Sequence, residues 1–275
     1  MAYPILSGLY GYKPVNLLGG QVFSGSTRSL PIQYAYPTNI FYGDFVSLTA
    51  GYVTLTTAPA NSTNKTIGVF LGCYYTNPTT KQRLYSQYYP ASTAAGDITA
   101  IVADDPDLVI RCAVATGAAT GVIGSASSIL VGSNMVGTTT AGSASTGNGT
   151  GGVVAASAAG ASTAGLRVIQ LVPDTQVSSA CVYVSGGAPA ATSVTVSGLT
   201  VGQYIPVGTD VFNVVGGQLQ FTGATVSTAA TVTSSTSQAL TVTAITTQVA
   251  GNVALVQTPE VLVKINFGVH SYNVA

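Results

Sequence analysis

The sequence predicts an all-β protein, and three observations predict it. Apolar residues alternate with polar ones at period two almost throughout. Nowhere do they recur at helical spacing over three turns with caps and a charged face. The alternating runs are punctuated by Gly, Pro, Asn and Asp in turn-forming combinations. The expected architecture is a base domain resembling a β-barrel or sandwich, with a small immunoglobulin-like β-sandwich inserted into it.

Residues 1–30 read as an extended arm. GLYGYK (8–13), NLLGGQ (17–22) and FSGSTRS (23–29) place glycine near a Lys or Arg, yet none matches GxxxxGK[ST] and none opens a capped helix. These glycines permit turns and are not a phosphate cradle. The N-terminal MAYPILSGLYGYKP lacks a basic start followed by a continuous apolar run, so no secretory leader is expected.

IGVFLGCYYTNPTTKQRLYSQYYP (67–90) reads as two strands around a turn built on Asn77-Pro78. It holds five of the fifteen tyrosines and two charges, Lys81 and Arg83. ITAIVADDPDLVIRCAV (98–114) reads as strand, turn, strand, since Pro106 presets φ and Asp105 and Asp107 supply side-chain acceptors. Residues 112–166 contain no charged residue and are dominated by Ala, Gly, Ser and Thr. Apolar islands within them suggest short strands and long loops over 115–165, with 138–152 the expected mobile part. Strands return at LRVIQLV (166–172) and SACVYVS (179–185).

Beyond Gly186-Gly187-Ala188-Pro189 the style changes to short Thr- and Val-rich strands spaced by glycine, the pattern of a small sandwich. EVLVKINFGVHSYNVA (260–275) then reverts to the earlier Tyr- and charge-bearing alternation. The expected division is therefore 1–187 plus 259–275 as the base domain and 188–258 as the insertion.

Function is bounded first by charge. Asp, Glu, Lys and Arg make up 6% of the 275 residues and cancel to a net charge of zero, against about 25% charged residues in an ordinary soluble domain. No field of one sign attracts a polyanion or an anionic membrane, so neither nucleic acid nor a membrane is an expected partner. So little charge invites self-association in a freely diffusing protein, but not in one packed into an assembly.

Catalytic groups are equally scarce. His270 is the sole histidine and stands in an alternating strand with no Cys, Asp or Glu beside it. Asp104, Asp105 and Asp107 are spaced for a β-turn and not for the six to eight oxygens of a calcium site. Cys73, Cys112 and Cys181 are widely separated with no CxxC pair, and read as buried small hydrophobes in a chain folded in a reducing cytoplasm. A glycan-binding or glycan-cleaving protein would need clustered aromatics with paired carboxylates, and the chain has no Trp and no glutamate apart from Glu260. The sequons at Asn61, Asn64 and Asn148 carry no weight without a leader. No catalytic residue, metal ligand or cofactor is assigned, and the reading is non-enzymatic.

Protein contact is what remains for the tyrosines, because the ring is large, rigid and amphipathic, and interfaces are enriched in it. Alternation cannot place Tyr74 and Tyr75, or Tyr88 and Tyr89, on one face, so one of each pair points away from the core. Tyr10, Tyr12, Arg28, Tyr75, Tyr85 and Tyr88 are the candidate contact residues.

An ordered series of stretches resembles capsid-associated decoration, or cement, proteins of tailed bacteriophages. These are FSGSTRSLPI (23–32), NIFYGDFVSL (39–48), IGVFLGCYYTNPTTKQRLYSQYYPA (67–91), AIVADDPDLVIRCAV (100–114), LRVIQLVPD (166–174) and VLVKINFGVHSY (261–272). The resemblance implies a β-rich subunit on the outside of the head shell, partnered by the major capsid protein, with no catalytic residues to carry over. The 188–258 block departs from that pattern. Its YIPVGTDVFN, GGQLQFTG, ATVTSSTSQALTVTA and QVAGNVALV resemble small sandwich modules of phage baseplate and fibre proteins. The expectation is a capsid decoration protein, homo-oligomeric as a trimer or dimer, made in the host cytoplasm and carried on the outer capsid surface. A tail, baseplate or fibre component is the alternative.

Overall fold

The structure, a computed structural model, describes residues 9–56, 65–114, 131–139, 141–155, 164–172, 178–205, 207–256 and 260–266. His270 and residues 115–130 lie outside them. Every regular element among the described residues is a strand. The chain divides into two compact units, one comprising Val172–Glu260 and the other Leu9–Ala113, Val131–Leu171 and the segment from Val261 onward.

The base unit holds two six-stranded sheets. The first runs β1 (Lys13–Leu17), β8 (Leu108–Ala113), β20 (Glu260–Ile265), β11 (Leu166–Leu171), β9 (Asn134–Thr138), β10 (Gly152–Ala155). Leu108, Ile110, Cys112, Met135, Leu166, Val168, Val261 and Val263 are all buried in it, and β8 and β20 are buried at consecutive positions as interior strands covered on both faces. The second runs β2 (Arg28–Pro31), β7 (Thr99–Ala103), β5 (Gly68–Thr76), β3 (Phe45–Thr49), β4 (Tyr52–Leu55), with β6 (Arg83–Ser86) also paired to β5. Its core gathers Val46, Phe70, Cys73, Tyr75, Tyr89, Ile98 and Val102.

The 98–114 stretch is strand, turn, strand as expected; β7 and β8 belong to different sheets, and Asp105-Pro106-Asp107 is the corner between them. The turn chemistry itself is as read, with the Asp105 side chain accepting from the Asp107 N–H at 2.8 Å and the Leu108 N–H closing onto the Asp105 carbonyl at 3.1 Å. The described part of the 1–30 arm is extended and supplies β1 and most of β2, paired to β8 and β7.

The 138–152 stretch, read from composition as the mobile part, makes defined contacts in its described residues. Tyr42 forms a bridge with Asn148, and the Gly149 N–H donates to the Tyr42 carbonyl at 2.8 Å. A Cβ at Gly142 would stand 2.4 Å from the Phe41 ring, and one at Gly151 would stand 2.5 Å from the Tyr12 ring. Glycine is needed there for close approach to aromatic faces, the opposite of the linker reading its frequency suggests.

The second unit is a curled sheet of order β16 (Gln218–Thr225), β15 (Asp210–Val215), β19 (Asn252–Val256), β12 (Ser178–Gly186), β13 (Ser193–Ser197), β18 (Gln238–Thr241). Its two outer strands meet again at one end. Val226 bridges Val242, the Ser227 N–H donates to the Thr241 carbonyl at 2.9 Å, and the Thr243 N–H donates to the Thr225 carbonyl at 2.8 Å. The sheet is therefore curled like half a barrel, its outer strands joined at that end alone. A short pair, β14 (Tyr204–Ile205) and β17 (Ala230–Thr231), brings Ile205 and neighbouring Val232 into the same core as Val194, Val211, Leu240 and Val253. Because β12 pairs with both β13 and β19, the SACVYVS strand belongs to this unit. The boundary thus falls before β12, at Val172, and not after it at residue 188.

Candidate contact surface

The β5–β6 hairpin sorts its tyrosines by parity. Register pairs Cys73 with Ser86, Tyr74 with Tyr85, Tyr75 with Leu84 and Thr76 with Arg83. Asn77 shapes the loop, its side-chain oxygen accepting from the N–H groups of Thr79 (2.8 Å) and Thr80 (3.1 Å). A register shift between Phe70 and Gly72 sets the phase of the strand, so that Cys73 and Tyr75 enter the core and Tyr74 faces out.

Tyr74 and Tyr85 then form a ring pair at 5.6 Å. The Arg83 guanidinium lies 4.3 Å from the Tyr74 ring and 5.7 Å from that of Tyr85. Hydrogen bonds from Ser29 and Thr99, with a smaller contribution from Arg83, hold the Tyr74 hydroxyl below the usual tyrosine range. Asp97 completes the patch by accepting from the Thr76 N–H at 3.0 and 3.1 Å and from its Oγ1 at 2.6 Å. Those bonds, and then Arg83, keep its carboxyl below its ordinary value. Tyr85 is 69% exposed. The result is an outward aromatic–guanidinium stack held in place by β-sheet neighbours.

The six candidate residues separate accordingly. Tyr85 stands outward. Tyr88 is half-buried with its ring stacked on Phe41 at 5.4 Å. Tyr10 is half-buried, with the Lys13 ammonium 4.5 Å over its ring. Arg28 is half-exposed and its Nε is paired with Asp104. Tyr75, at 6% exposure, and Tyr12, at 0%, are core residues and are withdrawn from the surface. Tyr12 packs on Phe45 at 4.1 Å, and its hydroxyl shares its proton between the carbonyls of Thr138 (3.0 Å) and Gly152. The contact residue missed in the sequence is Tyr74, since alternation separates it from Tyr75 without saying which of the two faces out.

No known family, curated protein or solved structure matches this chain. What it does must therefore follow from its own residues.

The three acidic residues of the 104–107 turn do not converge: Asp104 meets Arg28, Asp105 caps the corner, and Asp107 lies 3.6 Å from the Lys264 ammonium. All three cysteines are free and buried, and burial pushes the thiols of Cys73 and Cys181 up to about 12. Neither of those two is a nucleophile at neutral pH.

A cavity of about 230 Å³ is lined by Asn39, Phe41, Asp44, Leu55 and Thr139. Asp44 is buried; its Oδ2 accepts from the Phe41 N–H at 2.8 Å, while its Oδ1 and the Thr139 hydroxyl have no hydrogen-bond partner. Desolvation pushes this carboxyl up to about 6, against the smaller opposing effect of the Phe41 N–H. Because the folded value lies above the unfolded one, the associated stability is fully present below about pH 4 and is lost as pH rises through 6. Asp210, in the other unit, is likewise raised to about 6 by burial and adds in the same direction. Asp44→Asn is expected to stabilise the base unit by about 1–3 kcal/mol at pH 8 and by little at about pH 3.5. Denaturant titrations at the two pH values measure this, and an equal effect at both would remove the carboxylate from the explanation.

Proposed function

We propose that this is a non-enzymatic virion structural protein, a decoration protein that binds the outer surface of a bacteriophage head and stabilises the shell. The observation that carries the reading is the outward Tyr74–Arg83–Tyr85 stack, with Tyr85 69% exposed, on a chain in which only 6% of residues are charged. Tyr and Arg are the residues in which interface binding energy concentrates. A copy that binds the assembled shell and not its separated parts stabilises assembly by mass action. The resemblance of the base-domain stretches to decoration proteins points the same way, with the major capsid protein as partner and a trimer or dimer as the bound form.

Co-sedimentation with heads that lack the protein tests this. Wild type should pellet with heads, whereas Tyr85→Ala and Arg83→Ala should each weaken attachment by about 1–3 kcal/mol, roughly 5- to 150-fold in Kd. Thermal unfolding of the isolated variants should stay within about 0.5 kcal/mol of wild type, as befits exposed positions. Attachment to tails with none to heads would transfer the assignment to a tail, baseplate or fibre component, the reading that the small curled sheet of the second unit favours.

A further inference from the structure

Beside the tyrosine hairpin, three segments far apart in sequence meet around an open cleft of about 610 Å³. Buried Ile32 and Ile98 form its apolar floor. Tyr34, 62% exposed, comes from the turn after β2; Tyr52, 42% exposed, follows the Ala50-Gly51 turn between β3 and β4; Asp97 comes from the loop before β7. Ala50 and Gly51 both have positive φ, 50° and 85°, the two-residue hairpin turn that presents Tyr52 at the first position of β4. We infer that this cleft binds a neutral saccharide.

The chemistry selects that ligand class. Two exposed tyrosines offer flat apolar faces with hydroxyl edges, which suit the CH faces and hydroxyl rim of a sugar ring. Asp97 is the only charged residue lining the cleft among the described residues, and its carboxylate is already oriented by the three hydrogen bonds from Thr76. A carboxylate carries about four acceptor sites, so capacity remains to accept from ligand hydroxyls. No described Lys or Arg lines the cleft, so phosphates and acidic sugars have no counter-charge there. The volume lies within the ordinary range for small-ligand sites, about 300–1,000 Å³. The sequence alone argues against glycan recognition because there is no Trp and no pair of carboxylates; Tyr34 and Tyr52 are brought to one cleft only by the fold.

The cleft shares Asp97 with the outward stack but not Tyr85 or Arg83, and its test separates the two readings. Purified full-length protein is applied to a printed panel of neutral and sialylated oligosaccharides, with a proline-rich decapeptide and phosphocholine as competing probes. The expected result is retention on at least one neutral oligosaccharide, weakened about tenfold or more by Tyr34→Ala and by Tyr52→Ala. Gly96→Gln provides a variant that removes nothing: Gly96 lines the cleft and a Cβ there meets no atom within 4 Å, so the added side chain adds bulk at the cleft without disturbing the core. It too should weaken retention, while Tyr85→Ala, which targets capsid attachment, should leave it unchanged. All four variants should keep the wild-type unfolding midpoint. No retention of any neutral saccharide, retention unaffected by the three cleft variants, or binding of only the peptide or phosphocholine would each overturn the inference.

Discussion

Replacing Tyr12 with alanine should cost about 3–5 kcal/mol, a large share of the roughly 5–15 kcal/mol that holds a domain folded. The ring has no exposed surface, stacks on Phe45 and is approached by the backbone of Gly151. Its removal leaves a cavity and strips the Thr138 and Gly152 carbonyls of their shared donor. Tyr12→Phe separates the two effects: the ring stays and only the hydroxyl goes, for an expected loss of about 1–2 kcal/mol. Guanidinium titrations of the three proteins make the comparison. If Tyr12→Ala instead unfolds within about 1 kcal/mol of wild type and fails to bind heads, Tyr12 is a contact residue, as its sequence setting suggests, and not a core one.

The second large effect concerns the insertion. Leu171 and Val261 are register partners, and the Val172 N–H reaches the Glu260 carbonyl at 3.2 Å. The whole second unit therefore departs from and returns to adjacent points on β11 and β20. Replacing residues 173–259 with an Asn-Gly turn should convert those strands into an ordinary hairpin and leave the base unit folded and able to bind heads. Deleting only 188–258 should fail, because it removes β13 and β19 from β12 and exposes a long strand with two unpaired edges. Size-exclusion chromatography and cooperative unfolding distinguish the outcomes. If the shorter deletion folds and the longer one does not, the boundary lies after β12 and the division at Val172 is wrong.

Local chemistry made the strands legible, whereas their partners were not. Alternation located β5, β7, β8, β11 and β20, and Asn77-Pro78 and Asp105-Pro106-Asp107 were readable as turns. Whether a turn closes a hairpin or carries the chain between sheets depends on pairings with β1, β2 and β20, which no short window contains. The same limit governs the site. Period two says that Tyr74 and Tyr75 point opposite ways, but the bulge near Gly72 decides which one is buried. Tyr34, Tyr52 and Asp97 carry no mutual signal along the chain. Glycine content in 138–152 suggested mobility because composition reports what a segment lacks, and the aromatic rings that fill the space lie about a hundred residues or more away at Tyr12 and Phe41.

The position of β20 imposes an order in time. It lies between β8 and β11, inside the first sheet, yet it is made only after the entire second unit. At about 5–20 residues per second, synthesis of that unit lasts on the order of 5–20 s. Throughout that interval the nascent base unit lacks an interior strand, and β8 and β11 have no partner along that gap. The second unit, contiguous in the chain from β12 to β19, can form its own sheet first. Emergence of β20 then completes the base, so a ribosome-stalled chain ending before residue 260 should expose strand edges that the finished protein hides.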